Sequence, residues 1–397
     1  MIRIKDEYIL IVALALVIVT LSAIETSKVR AEETIAYVSN GDDGSISILK
    51  LDKETGELAM LDRVPAGPKV MHMALSPDQN YLYASIRSEP YSVISYSINP
   101  ESGNLTQIGK TSLPDNMVFI SVDKSGRFLL SVSNGGGKIV VNSIDINGTV
   151  KSKPIQTVLS GDNPHSIRTD LTNQFIYVPH LGNDRVNQYL FNNASGNLTP
   201  NNPPEVYTKS GSGPRHFDFS PDDNFLFVSN EKDGTIYSFK IDKQTGVLEE
   251  IQRLPVLLSN NGMENSLETN KDTNSNTNKE GEGEGEGEEF ANAGVADIHV
   301  APNGKWVYVS ERVKNTISLF SIDKTGNITY SGNYKTENTP RGFNIDPTGR
   351  YLLAAGQKSG YVSVYEIDQQ NGALVFKDRV ESGKDPNWIE SINVGRK

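Results

Sequence analysis

One short strand signal returns seven times along this chain, and a regular return of that kind marks a repeat architecture before any other property is considered. The copies are Ile35-Ala-Tyr-Val-Ser, Tyr81-Leu-Tyr-Ala-Ser, Phe128-Leu-Leu-Ser-Val, Phe175-Ile-Tyr-Val-Pro, Phe225-Leu-Phe-Val-Ser, Trp306-Val-Tyr-Val-Ser and Tyr351-Leu-Leu-Ala-Ala. Their first residues lie 46, 47, 47, 50, 81 and 45 positions apart. A Gly-x-apolar turn repeats independently, at Gly56, Gly103, Gly148, Gly196, Gly246, Gly326 and Gly372. Both series count seven, and both stretch between the fifth and sixth copies.

Residues 259–292 account for the stretch. They are rich in Asn, Ser, Thr, Gly and Glu and nearly free of large apolar side chains. Such a segment cannot bury enough surface to offset its ordering entropy, so it is expected to be a disordered acidic insertion. Without its 34 residues the long interval becomes 47, the ordinary period.

Every unit carries four strand signals, which in the fifth copy fall at 216–220, 225–230, 235–241 and 248–254. Pro221-Asp222-Asp223 turns the first hairpin and the segment ending in Gly246 turns the last, both with residues suited to tight turns. Seven such units predict an all-β fold, a seven-bladed β-propeller of four-stranded antiparallel blades occupying 32–397 as one domain. The first copy starts at its second strand, Ile35. The missing first strand is supplied by Asn387-Trp-Ile-Glu-Ser-Ile-Asn at the C-terminus, which closes the ring and covers an exposed sheet edge.

The formal charge of −11 is concentrated, since residues 280–289 hold six glutamates. No basic stripe is left to suggest a nucleic-acid partner. The absence of cysteine excludes thiol nucleophiles, disulfides and thiolate metal sites. Residues 8–24 form an uncharged apolar run of 17 preceded by Arg3 and Lys5, so 1–31 reads as a signal peptide or signal anchor. An extracytoplasmic location is expected, secreted or anchored, with membrane contact only through that segment if it is uncleaved. A monomer is expected.

Strand alternation sorts the loops into two faces. Starts of first strands and ends of second strands share one face, while the Gly-x-apolar turns lie on the other. The first face gathers Lys69, His72, Arg87, His165, Arg168, His180, Arg215, His216, Glu231, Asp297, His299, Arg312, Arg341, Gln357, Lys358 and Asn387, including all five histidines. A cationic mouth at a propeller axis suits an anion or a carbonyl. Asp297 and His299 offer only two ligands where zinc needs three or four, so no metal or other cofactor is expected.

Several stretches resemble a known family, the seven-bladed lactonase propellers, which include bacterial 6-phosphogluconolactonases and a fungal muconate-lactonizing enzyme. They are Asn163-Pro-His-Ser166, Gly213-Pro-Arg-His216, Ser229-Asn-Glu231, Ala296-Asp-Ile-His299, Pro340-Arg-Gly-Phe-Asn344 and Ala354-Ala-Gly-Gln-Lys-Ser359. The resemblance implies a lactone hydrolase acting on a small sugar-derived lactone, with His165, Arg215, Glu231 and Arg341 as the catalytic set. His216, His299, Arg312, Lys358 and Lys69 are the expected substrate-binding residues. Arginines would hold the oxygen on which charge grows, and Glu231 or His165 would take the proton of the attacking water. The insertion, joining a fourth strand to the next first strand, would overhang this site. Two other readings stay open at this level: a non-enzymatic surface propeller for adhesion or scaffolding, and a cycloisomerase that forms a lactone from a diacid.

Overall fold

The computed structural model describes residues 33–257 and 294–395. The N-terminal apolar run and the 259–292 insertion therefore lie outside the described residues. Seven four-stranded antiparallel sheets stand around one axis, each ordered from the channel outward. In the fifth blade the strands are Pro214–Phe219, Phe225–Asn230, Thr235–Ile241 and Leu248–Pro255, so the turn chemistry placed all four. Strands sandwiched between neighbouring blades are buried on both sides, as Phe128–Ser133 is throughout. Outer strands have one face in water, and Val150–Leu159 accordingly buries few of its residues.

The two chain ends share the first blade. Pro386–Val394 pairs antiparallel with Glu33–Asn40, with Ser39 opposite Trp388 and Glu33 opposite Val394. Ring closure thus rests on backbone pairing between the ends of the chain, with the strand that the sequence suggested.

The two landmarks of the repeat turn out to touch each other. Each turn glycine packs on the first residue of the repeated strand signal in the preceding blade: Gly103 on Ile35, Gly148 on Tyr81, Gly196 on Phe128, Gly246 on Phe175, Gly326 on Phe225, Gly372 on Trp306, and Gly56 on Tyr351 across the closure. A methyl at Gly372, where φ is +77°, would stand 2.7 Å from the Trp306 ring. Glycine is needed there both for the backbone conformation and for the approach. Tyr308 adds a phenol that donates to the Gly372 carbonyl at 2.7 Å, and Tyr37 does the same to Gly103. The repeat is therefore also the device that staples one blade to the next.

Inner strands run from a mouth face to the face carrying these turns. Glu33 and Val394 both lie at the turn face, whereas the described ends that flank the insertion, Leu257 and Gly294, lie at the mouth face, Gly294 beside Arg312.

Candidate functional site

Four inner strands begin alike. A residue in the left-handed region precedes a proline, and the side chain after that proline is aimed at the axis. The cases are Asn163 (φ 55°) before Pro164-His165, Gly213 (φ 67°) before Pro214-Arg215, Thr339 (φ 57°) before Pro340-Arg341, and Asp385 (φ 59°) before Pro386-Asn387. Backbone carbonyls at the starts of the inner strands, with or without the proline, then fix the segment after the second strand. Gly213 O accepts from Glu231 N at 2.8 Å, Lys69 O accepts from Arg87 N at 3.0 Å, and Gly294 O accepts from Arg312 N at 3.0 Å. Residues far apart in sequence are brought to one rim by this repeated local pattern.

A register shift follows at once in the inner strands, between Pro214 and His216, Pro340 and Gly342, Met117 and Phe119, and opposite Ser39 and Asn40. A bulge lets two consecutive side chains share one side of a strand. This is why Arg215 and His216, Met71 and His72, and Asn387 and Trp388 all line the same recess, together with Arg87, Val118, His165 and Arg341. Its own side chains nearly fill it, and the cavity volume is about 10 Å³, about what one water molecule needs.

The recess is floored by rings. The His72 ring lies 3.8 Å from both Phe119 and Trp388, and His216 meets Phe119 at 5.4 Å and Trp388 at 5.7 Å. These side chains plug the channel midway.

Charge in the recess is unbalanced. Arg215 is 1% exposed, the largest fully buried side chain among the described residues. Its Nε stands 2.6 Å from Glu231 Oε2, and its Nη1 donates to the Ala296 carbonyl. Arg312 holds the other Glu231 oxygen at 3.0 Å. Burial opposes ionisation of Glu231, but Arg215 and Arg312 outweigh it and keep its pKa below the usual carboxylate value. Arg87 donates through Nε to Asn116 at 2.7 Å. Arg341 has no hydrogen bond or ion pair among the described residues. Burial, then Arg312 and Arg87, lowers its pKa to about 10. Arg87, Arg215 and Arg341 thus face one small space, and of these Arg215 is ion-paired, to Glu231.

The pocket imidazoles are neutral. Burial first, and then neighbouring cations, holds His165 and His72 well below the ordinary histidine value and pushes His216 down to about 3. His165 Nδ1 is buried without a partner among the described residues. His216 Nδ1 lies 2.8 Å from Asp297 Oδ1.

Of the expected catalytic set, His165, Arg215 and Arg341 converge on the recess, and Glu231 joins them through Arg215. His216 lies there too, and Arg312 stands one layer back, on Glu231. Three expected substrate-binding residues lie elsewhere. Lys69 is on the rim, ion-paired with Asp42, and Lys358 is exposed on the loop that begins at Gln357. His299 lies below the plug, where with Arg168, Lys124, Asn344 and Glu390 it lines a second recess opening to the turn face. His180, also expected at the mouth, is buried against the Asp162 carbonyl at 3.3 Å. Arg87 and Asn387 were expected on the mouth face without a role in the site, and the Trp388 plug was not expected there. Aligning the proline-led strand starts would have picked out Asn387 beside the other three.

Comparison with known proteins agrees with this geometry. The sequence profile of the family described as "Lactonase, 7-bladed beta-propeller" matches residues 33–391. A 6-phosphogluconolactonase of Serratia proteamaculans is 36% identical over 361 residues, covering 90% of this chain and 98% of that protein. A second, from Pectobacterium carotovorum, is 33% identical over 91% of this chain and 99% of its own length. Among solved structures, the periplasmic gluconolactonase of Pseudomonas aeruginosa superposes with a TM-score of 0.77 at 23% identity, over 91% of this chain and 99% of that one. At that identity it shows the shared fold.

Proposed function

The chain belongs to the seven-bladed β-propeller lactonase family, and on that premise we propose that it hydrolyses a small sugar-acid lactone in the mouth recess. The observation that carries this reading is the Arg341 guanidinium, unpaired among the described residues, beside Arg215 and Arg87. A half-buried cation without a partner is left poorly solvated unless an anion arrives to meet it. A lactone offers such charge on its carbonyl oxygen as water attacks, and on any carboxylate or phosphate substituent. Guanidinium groups answer both through charge-assisted hydrogen bonds.

Glu231 acts in this scheme as the anchor of Arg215 rather than as a base, because two arginines hold it ionised. Proton transfer then falls to the neutral imidazoles facing the recess, His165 and His216. Convergence of these groups on one pocket favours chemistry over scaffolding, which has no need of it. Export through the apolar segment at 8–24 belongs to the same proposal, and sequencing the N-terminus of the mature protein tests it.

Purified protein from residue 32 onward is expected to open gluconolactone or its 6-phosphate faster than water does. Arg341→Ala is expected to lower kcat/KM about 10²-fold, as loss of an oxyanion donor does elsewhere. Unchanged turnover in that variant would overturn the assignment.

A further inference from the structure

Opening a lactone ring needs a group that removes a proton from water beside the carbonyl. Building on the lactonase function proposed for the mouth recess, we propose that His216 is this general base and that Asp297 is a positioning residue acting through it. Arg215 Nη1 lies 3.3 Å from His216 Nε2. A guanidinium only donates, so Nε2 is the lone-pair nitrogen and the ring proton sits on Nδ1, donated to Asp297. The carboxylate is itself fixed on every side. Oδ1 also accepts from Ile298 N at 3.0 Å, while Oδ2 faces His299 Nε2 at 3.2 Å and Phe343 N at 3.3 Å. Phe119 and Trp388 hold the imidazole edge-on. In the free protein Arg215 covers the Nε2 lone pair. Once Arg215 turns to the carbonyl oxygen of a bound lactone, a base in one tautomer is left beside that oxygen, as proton abstraction in the transition state requires.

The alternatives lack these features. Glu231 is occupied by two arginines, and the described residues offer His165 Nδ1 no partner to set its tautomer. Burial first, and then Arg215, opposes protonation of His216 in the free protein, and an anion bound between Arg215 and Arg341 offsets the second of these.

The step balances without a further reactant. The water oxygen bonds to the carbonyl carbon, its proton passes to Nε2, and the carbonyl pair moves to the oxygen held by arginine. Collapse breaks the ring C–O bond, and the Nε2 proton goes to the departing alkoxide. The product is a hydroxy acid, which releases its carboxyl proton to solvent.

The test uses the whole chain and whichever of gluconolactone or its 6-phosphate the native protein opens faster. Asp297→Asn keeps the shape but removes the negative charge that stabilises the imidazolium formed as water gives up its proton. It is expected to lower kcat about 10²-fold or more with KM little changed. His216→Ala should show the same loss, with added imidazole restoring about tenfold of it. Thermal melts check that both variants fold. Native kcat in Asp297→Asn, alongside an impaired Arg341→Ala, would discard the dyad and leave the lactonase function intact. A native protein inert on both lactones would discard both.

Discussion

At the scale of single residues, the site is a set of arginines held apart by one carboxylate. Glu231→Gln removes the charge that Arg215 needs while preserving shape. We expect it to destabilise the fold by about 1–3 kcal/mol, less than for a fully buried pair because the carboxylate side chain is 27% exposed. Urea unfolding measures this, and an unchanged midpoint would mean that Arg215 is anchored by other groups. Residue identity told most of this in advance, since His165, Arg215, Glu231 and Arg341 were readable from motif and face. Depth along the axis was not readable. His299 follows Ala296 by three residues, about 10 Å at a strand's rise of ~3.3 Å per residue. That distance carries it through the plug to the other recess, although both residues belong to one inner strand.

Among structural elements, the inner strand with its bulge and the turn glycine with its aromatic partner do the organising. Strict alternation would have sent either Arg215 or His216 away from the axis. The bulge leaves no composition signal of its own beyond the proline before it, so the sequence placed both on one face without showing how both could point inward. The glycine turns were legible as a repeat, yet their partner was not, because contact between blades is invisible within one unit. Gly372→Ala should destabilise by about 2 kcal/mol or more, through the left-handed backbone and the overlap with Trp306. Differential scanning calorimetry would register this as a lowered Tm, and an unshifted Tm would show that the staple adds nothing to stability.

For the molecule as a whole, buried neutral histidines set the response to acid. His72, His165 and His216 stay unprotonated well below the ordinary histidine value, and His180 is pushed down to about 4. Unfolded, each takes up a proton near pH 6.5, so falling pH favours the unfolded chain. Their contribution is complete above that value and is lost on acidification, by about 1.4 kcal/mol per histidine per pH unit. Glu390, raised to about 7 by burial, works in the opposite sense over the same range and offsets one of the four. His299, whose pKa is raised, is protonated in both states below 6.5 and adds no slope there. Melting temperature should therefore fall steadily from pH 7 to pH 5, and a flat profile would contradict the neutral-histidine assignment. The count of blades and the closure by the C-terminal strand were legible because both are properties of the repeat and of where it is cut. That cut has a geographical result. Glu33 enters the ring on the underside, away from the arginines, so the first described strand begins on the face opposite the one from which a small molecule would diffuse into the recess.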